Sequence, residues 1–217
     1  MGKQILIAII GDIIGSKTIE NRNKIQNKLN KILQEVNTEY AQYIASKWTI
    51  TLGDEFQVLT KPNLEIFKML DYISYKMEPI NIRFGIGLGE IYTDINYEIS
   101  IGADGPAFWH ARHAIEYIHD NNNYGNSKVI FKSNSKNDEI INNLLNYTDW
   151  MKENWTDTQK EVLYALLEKN IYSENFKQKS LANEMGLSES AISKRIKSSG
   201  IRLYLSSRNS IAKEIVN

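Results

Sequence analysis

The chain has 217 residues, of which 42% are hydrophobic and 24% are charged, and its 26 basic side chains balance its 26 acidic ones. This composition is typical of a globular protein of one or two domains, and it argues against a disordered chain or one coated with nucleic acid. The absence of cysteine excludes disulfides, cysteine-based zinc sites and cysteine nucleophiles. No apolar run approaches the roughly 18 residues of a membrane span. We therefore expect a cytoplasmic protein without a membrane partner.

The first part of the chain alternates strand and helix patterns. Ile5–Ile10 is a continuous apolar run, typical of a strand that is buried on both faces. A helix is expected next, because apolar residues recur at spacings of three and four from Ile25 to Tyr40. Two strand-like segments, 48–52 and 56–59, then flank the sequence Gly-Asp-Glu. A second helix is expected after Pro62.

Three further elements complete a predicted sheet domain. A strand from Ile80 to Leu88 has glycines interleaved at its end, a pattern that usually marks close backbone packing. A helix from about Pro106 to His119 and a short strand from Lys128 to Phe131 follow. This order predicts an α+β fold of the ferredoxin-like, split βαβ kind, with an antiparallel sheet and helices on one face.

After about residue 147 the sequence becomes polar and then helical. A helix with a regular apolar stripe is expected from Gln159. The sequence QKSLANEMGLSESAISKRIKSSG then indicates a helix, a turn that contains glycine, and a second helix capped by Ser188. We therefore predict two domains, an α+β domain at residues 1–147 and an all-α helix-turn-helix domain at residues 148–217.

Acidic residues stand where two predicted strands end. Asp12 ends the first strand, and Asp54 precedes Glu55 in the turn between two later strands. If these strands are neighbours, the carboxylates meet at one edge of the sheet, as Mg²⁺ or Mn²⁺ requires when it also binds phosphate. The predicted metal ligands are therefore Asp12, Asp54 and Glu55. The alternatives are that Asp12 and Asp54 are simple turn or capping residues and that Glu55 is a solvated neighbour of the ligands. Small residues that would let the backbone approach a phosphate are Gly11, Gly15, Ser16 and Gly53.

Four motifs in this part resemble those of nucleotidyl cyclases. IIGDIIGSK resembles the first metal-binding strand of the class III enzymes, and TLGDEF resembles their second as well as the Gly-Gly-Asp-Glu-Phe signature of diguanylate cyclases. RFGIGLGEI is similar to the cyclase Gly-Ile-x-x-Gly-Glu strand. GADGPAFWHAR is similar to the helix whose arginine, here Arg112, steadies the transferring phosphate. The resemblance implies metal binding by Asp12 and Asp54 and a catalytic role for Arg112, for which an ordinary surface ion pair is the alternative.

The sequence departs from the cyclase pattern at two positions. Ile50 stands where cyclases have the lysine that contacts the purine, and Phe108 stands where they have the asparagine that holds the ribose. The resemblance therefore implies binding of a nucleotide or phosphate more directly than it implies cyclisation. Over its whole length the chain resembles the SatD family, in which these motifs precede a C-terminal helix-turn-helix.

A basic cluster lies in and after the second helix of the helix-turn-helix. Four basic residues follow Ser188, against the single acid Glu189. Phosphate neutralisation dominates affinity for nucleic acid, and recognition helices place their N-terminal residues at base edges. The sequence LANEMGLSESAISKRIK also resembles many bacterial regulators; a helical dimerisation or lid domain is the alternative. The residues predicted to contact double-stranded DNA are Ser188, Ser190, Ser193, Lys194, Arg195, Lys197 and Arg202.

Together the two constellations predict a DNA-binding transcriptional regulator whose first domain binds a nucleotide or phosphate ligand with Mg²⁺. We expect a homodimer, because a single helix-turn-helix binds DNA weakly. The alternative function is an active nucleotidyl cyclase or related phosphoryl-transfer enzyme with a two-metal aspartate site. An interaction module that contacts neither DNA nor nucleotide is a third possibility.

Overall fold

The structure, a computed structural model, describes residues 4–121 and 127–217. Its first part contains a sheet of five strands: β1 (Ile5–Ile13), β2 (Ile44–Leu52), β3 (Glu55–Thr60), β4 (Ile82–Glu90) and β5 (Val129–Lys132). The strand order is β2-β3-β1-β4-β5, in which the first four strands pair antiparallel, as in a ferredoxin-like fold. The predicted α+β class is confirmed. The expectation of a purely antiparallel sheet was wrong, because β5 runs parallel to β4.

Helices cover both faces of this sheet. α1 (Arg22–Glu39) and α2 (Ile66–Met77) pack on the face that carries Ile7 of β1, whereas α3 (Pro106–Asn121) packs on the face that carries Leu6. Burial from both sides explains why the centre of β1 is apolar throughout. The expectation that all helices share one face was therefore wrong for α3. No helix within residues 4–121 or 127–217 is long and apolar enough to cross a membrane.

The glycines of β4 form the surface on which α3 lies. A Cβ added to Gly87 would lie 2.1 Å from the carbonyl oxygen of Ala107 and 2.3 Å from the amide nitrogen of Ala111. Gly85 and Gly89 face backbone atoms of the same helix at similarly short range. The interleaved glycines thus serve close packing, as predicted, and they set the height of α3 above the sheet.

The outer edge of β5 is covered by α4 (Asp138–Glu153), a helix that was not predicted. The side-chain amide of Asn142 donates to the carbonyl of Phe131 and accepts from its amide, both at 2.8 Å. Asp149 accepts from the amide of Val129 at 2.9 Å. Polar side chains of a helix therefore satisfy backbone groups that a sixth strand would otherwise pair.

The second part of the chain is all-helical, with α5 (Asp157–Glu168), α6 (Gln178–Glu184), α7 (Glu189–Ser199) and α8 (Ile201–Val216). Helices α6 and α7, with Gly186 between them, are the two helices of the predicted helix-turn-helix. α8 was not predicted, and its Ile211 and Ile215 lie in the same buried apolar cluster as residues of β1 and α1. The expected boundary between residues 147 and 148 lies within α4.

A buried polar cluster joins α2, α4 and α8. The carboxylate of Asp71 on α2 accepts hydrogen bonds from Tyr172 at 2.6 Å, Tyr204 at 2.7 Å and Lys152 at 2.7 Å. Burial by itself raises the pKa of Asp71, but the charges of Lys152 and Arg208 and the hydrogen bonds outweigh it, so the pKa lies below its usual value. Asp71 thereby links a helix of the sheet domain to the C-terminal helices.

Arg208 on α8 forms the second half of this cluster. Its guanidinium donates to Asp149 on α4, and each side chain is only 3% exposed. Burial raises the pKa of Asp149, while the charge of Arg208 and the amide hydrogen bonds of Lys128 and Val129 oppose that rise. Removing one partner would leave the other as an unpaired buried charge.

Candidate functional site

Three strands place charged side chains side by side at the end of the sheet. In the antiparallel register, Asp12 of β1 lies opposite Glu55 of β3 on one side and opposite Arg83 of β4 on the other. Directly opposed residues present their side chains on the same face of a sheet. Asp54 immediately precedes Glu55, and its carbonyl accepts a hydrogen bond from the amide of Ile13 at 3.2 Å. The predicted grouping of Asp12, Asp54 and Glu55 at one edge is found in the structure.

Two arginines pair with two of these carboxylates. Nε and Nη2 of Arg83 both donate to Oδ2 of Asp12, Nε at 2.7 Å, and both side chains are 17% exposed. Arg112 of α3 donates through both of its terminal nitrogens to Glu55, with Nη2 lying 2.8 Å from Oε1. The Thr51 hydroxyl also donates to Oε1 of Glu55, at 3.1 Å. Arg112 is 43% exposed, so it borders solvent as well as Glu55.

Asp54 has a neutral partner, the hydroxyl of Ser16, which donates to Oδ2 of Asp54. Gly15 (φ 71°) and Gly53 (φ 61°) adopt left-handed conformations in the loops beside this contact, which explains why glycine is favoured at both positions. Gly11 is placed differently, because a Cβ there would lie 2.4 Å from the Phe56 ring. Its small size is thus explained by packing against that ring.

The carboxylates are close enough to influence one another. Burial raises the pKa of Asp12, the hydrogen bond and charge of Arg83 oppose the rise, and the charges of Asp54 and Glu55 add to it. The hydrogen bond from Arg112 to Glu55 raises the pKa of Arg112. Three carboxylates and two guanidinium groups therefore lie together, and a third guanidinium is near, since Nη2 of Arg22 lies 3.9 Å from the position that a Cβ of Gly53 would take.

The donor set fits Mg²⁺ when a ligand supplies further oxygens. Within the two described ranges, no group of three or more histidine, cysteine, aspartate or glutamate side chains is arranged to hold a metal ion by itself. Mg²⁺, however, is commonly held by one or two carboxylates and completes its octahedral shell with water and phosphate oxygens. Asp12 and Asp54 offer that pair of carboxylates.

Arg83 was not assigned a role from the sequence. Its signal lies in the strand register, because the alignment of β1 with β4 places it opposite Asp12. An opposite-charge pair across neighbouring strands is a favourable arrangement, but it is recognised only once the register is known. At the two positions that depart from the cyclase pattern, Ile50 packs against the main apolar cluster and Phe108 is 8% exposed.

One face of α7 is polar, basic and open to solvent. A shallow groove on this face is lined by Ser190, Ser193, Lys194, Lys197 and Ser198. Within the described residues, neither lysine forms an ion pair. Ser188 instead caps the helix, since its hydroxyl accepts from the amide of Ala191 at 3.2 Å. Four of the predicted residues thus share one accessible surface, namely Ser190, Ser193, Lys194 and Lys197, and Ser188 stands at its start.

The two arginines predicted to contact DNA have partners within the protein. Arg195 donates to Glu161 of α5 at 2.7 Å. Arg202 of α8 donates to the carbonyls of Glu174 and Phe176, the latter at 3.2 Å, and its guanidinium lies 4.1 Å from the Phe176 ring centre. Arg195 thus links α7 to α5, and Arg202 links α8 to the segment between α5 and α6, so the lysines are the basic residues that the α7 face presents.

Comparison with known families decides the relationship of the whole chain. A family model described as the SatD family matches residues 6–216. The chain belongs to the SatD family. The resemblance inferred from its motifs is thereby confirmed. No curated protein matches this SatD-family chain.

Solved cyclase structures are similar to the SatD-family chain over part of its length. A bacterial light-regulated adenylyl cyclase is 10% identical, with a TM-score of 0.45, and the match covers 59% of this chain and 75% of that one. The guanylyl cyclase Cya2 is 15% identical, with a TM-score of 0.39 and coverage of 54% and 73%. The guanylyl cyclase domain of a RhoGC fusion protein from the aquatic fungus Blastocladiella emersonii is also 15% identical, with a TM-score of 0.37 and coverage of 54% and 74%.

Proposed function

We propose that this SatD-family protein is a DNA-binding transcriptional regulator whose sheet domain binds a nucleotide or another phosphate ligand together with Mg²⁺. The observation that carries the proposal is the convergence of Asp12, Asp54 and Glu55 with two arginines at one edge of the sheet. A cluster of carboxylates and guanidinium groups offers ligands for a cation and donors for phosphate oxygens in the same place.

The residues divide this task by their chemistry. Asp12 and Asp54 would hold Mg²⁺, which would neutralise negative charge on the phosphate when bound. Arg112 is half open to solvent and presents a planar donor fork of the kind that recognises phosphate. Ser16 keeps Asp54 oriented through its hydroxyl hydrogen bond. Carboxylates that hold Mg²⁺ and guanidinium forks both serve phosphate oxygens, so the phosphate is the part of the ligand that this site would recognise.

The α7 face supplies the DNA-binding surface. Serine hydroxyls both donate and accept hydrogen bonds and can therefore contact several base edges, while lysines neutralise backbone phosphates. Lys194 and Lys197 lie on the same exposed face as Ser190 and Ser193. A homodimer would place two such faces on the two halves of an operator, as helix-turn-helix proteins do.

Ligand binding would act on DNA through helices that contact both parts of the protein. α8 follows α7 after Gly200, and its apolar side packs into the cluster beneath the sheet. A ligand changes DNA affinity only if it favours one arrangement of these helices over another. If the protein is a regulator, the arrangement of these helices should therefore differ between the ligand-free and ligand-bound states.

The test combines ligand binding with DNA binding. Calorimetry with Mg²⁺ and ATP, GTP or pyrophosphate should detect binding in the wild type that Asp54→Asn weakens at least tenfold. Fluorescence anisotropy on duplex DNA of random sequence measures how the association constant falls with salt. Lys197→Ala should make the negative slope of log K against log salt shallower by about 0.9, the value for one phosphate contact. Lys31→Ala, an exposed lysine of α1, is the control and should leave the slope unchanged. Absence of salt-dependent binding to duplex would rule out the DNA-binding function.

An active phosphoryl-transfer enzyme is the second candidate, and the partly exposed Arg112 beside the carboxylates is the observation that favours it. Incubation with ATP or GTP and Mg²⁺ or Mn²⁺, followed by chromatography, separates the two functions. Turnover that disappears in Asp12→Asn and Asp54→Asn would establish the enzyme. Binding without turnover would leave the regulator.

A further inference from the structure

We propose that Arg83 is a built-in competitor for the metal, so that the site binds a divalent cation tightly only when a phosphate group arrives with it. The inference rests on the proposed function, because it concerns the same site. It assigns a regulatory role to a residue for which the sequence predicted none.

The geometry places the guanidinium where it competes. Arg83 uses two nitrogens on a single oxygen, Oδ2 of Asp12. Among the residues that the structure describes, no donor contacts the other oxygen, Oδ1. Both side chains of the pair are only 17% exposed, so water screens the interaction less than it would at an open surface. A divalent ion that bound Asp12 with Arg83 in place would meet a positive charge within a few ångströms of itself.

The other two carboxylates do not face the same competition from Arg83. Asp54 is held by the neutral hydroxyl of Ser16, which a metal does not need to displace. Glu55 is paired with Arg112, on the opposite side of Asp12 from Arg83. Asp12 is therefore the carboxylate on which cation binding depends.

A phosphate group would resolve the competition. Guanidinium forks bind phosphate oxygens in the same bidentate manner as carboxylates, so an incoming phosphate offers Arg83 an alternative partner. Once Arg83 turns to the phosphate, Asp12 is free for the metal. By linkage, if bound phosphate strengthens metal binding by a given factor, the bound metal strengthens phosphate binding by the same factor.

The experiment measures Mn²⁺ binding by water-proton relaxation, which reports protein-bound Mn²⁺ whether or not nucleotide is present. Titrations at pH 8 compare the wild type with Arg83→Gln and, as the matched control, Arg195→Gln, which removes an arginine from an ion pair with Glu161 outside the site. We expect Arg83→Gln to bind Mn²⁺ alone about tenfold more tightly than the wild type, within the usual range of coupling between sites. Arg195→Gln should leave Mn²⁺ affinity unchanged, and adding Asp12→Asn to Arg83→Gln should remove the gain. Arg83→Lys keeps the positive charge but not the planar donor fork, so its Mn²⁺ affinity should lie between those of the wild type and Arg83→Gln. It serves as the second variant if Arg83→Gln does not fold.

The outcomes separate this inference from the proposed function. If wild-type protein binds Mn²⁺ alone as tightly as it does with ATP or pyrophosphate, or as tightly as the Arg83 variants do, Arg83 is not a competitor although the metal site stands. If no protein binds Mn²⁺ with or without ATP, GTP or pyrophosphate, the metal-dependent ligand site itself is refuted. Tight Mn²⁺ binding by the wild type only in the presence of phosphate, with the gain in Arg83→Gln, supports both.

Discussion

Replacing Arg208 with methionine tests whether the buried ion pair holds the C-terminal helices on the sheet domain. Arg208 and Asp149 are each 3% exposed, so the substitution leaves a carboxylate buried without its cation. Breaking such a pair costs about 3–5 kcal/mol. For a chain of this size each kcal/mol lowers the melting temperature by about 2–4 °C, so we expect a decrease of about 6–20 °C.

The loss of stability in Arg208→Met should depend on pH. In Arg208→Met, burial continues to raise the pKa of Asp149, while the opposing charge of Arg208 is gone. The folded state then holds the Asp149 proton to a higher pH than the unfolded state does. Stability is therefore retained at low pH and lost as the pH rises through the folded-state pKa, so the variant should be less impaired at pH 5 than at pH 8.

Differential scanning fluorimetry at both pH values provides the assay, with urea unfolding as a second measure. Arg195→Met is the matched control, because it removes an arginine whose partner Glu161 is 54% exposed, and such surface pairs contribute at most about 1 kcal/mol. Adding Asp149→Asn to Arg208→Met should recover part of the loss at pH 8. Equal destabilisation by Arg208→Met and Arg195→Met would refute the reasoning, as would a loss that does not depend on pH.

Three further predictions follow from contacts elsewhere. Gly87→Ala should destabilise the protein by about 1–3 kcal/mol in urea unfolding, because the new methyl meets the backbone of Ala107; an unchanged midpoint would contradict the close packing of α3. Ser188→Ala removes a helix cap, so amide exchange in α7 should report about 1 kcal/mol less protection, and unaltered exchange would exclude the cap. Because the pKa of Asp71 is lowered, its stabilising contribution is present above the unfolded value of about 3.9 and is lost below it. Asp71→Asn should therefore flatten the acid limb of a circular-dichroism pH titration, and an identical limb would count against this role.

The periodic elements of the sheet domain were predictable from sequence because their buried sides are apolar. The helix expected from Pro106 to His119 is found at Pro106–Asn121, and the strand expected at Ile80–Leu88 is found at Ile82–Glu90. The apolar residues in these segments report burial directly. Local patterns therefore sufficed for the order of the strands and helices in this part of the chain.

Helices α4 and α8 were missed because their buried sides are partly polar. Asn142 and Asp149 of α4 turn toward β5, and Arg208 of α8 turns toward Asp149. Such residues interrupt an apolar stripe, and they become understandable only when their partners are in place. The periodicity of α3 shows which side of the helix is buried, but it does not show which face of the sheet that side packs against. The position of α3 was therefore not predictable from its own sequence.

In the candidate site, too, some residues were predictable from local sequence and others depend on tertiary contacts. Asp12, Asp54 and Glu55 could be grouped from motifs that place acidic residues at strand ends. Arg83 could not be included, because its pairing depends on the register between β1 and β4. Arg195 was predicted to contact DNA from its charge alone, whereas its ion pair with a neighbouring helix depends on tertiary packing.

The packing of α8 also bears on the order in which the protein is made. Ile211, Ala212 and Ile215 are between 0% and 3% exposed and belong to the cluster that contains the interior of β1. During synthesis, the strands of the sheet leave the ribosome well before these residues. Until α8 has been synthesised, the part of the apolar sheet surface that α8 covers remains exposed. At about 5–20 residues per second, the interval between β5 and α8 lasts several seconds. The apolar core beneath the sheet is therefore completed only after helices α5, α6 and α7 have been synthesised.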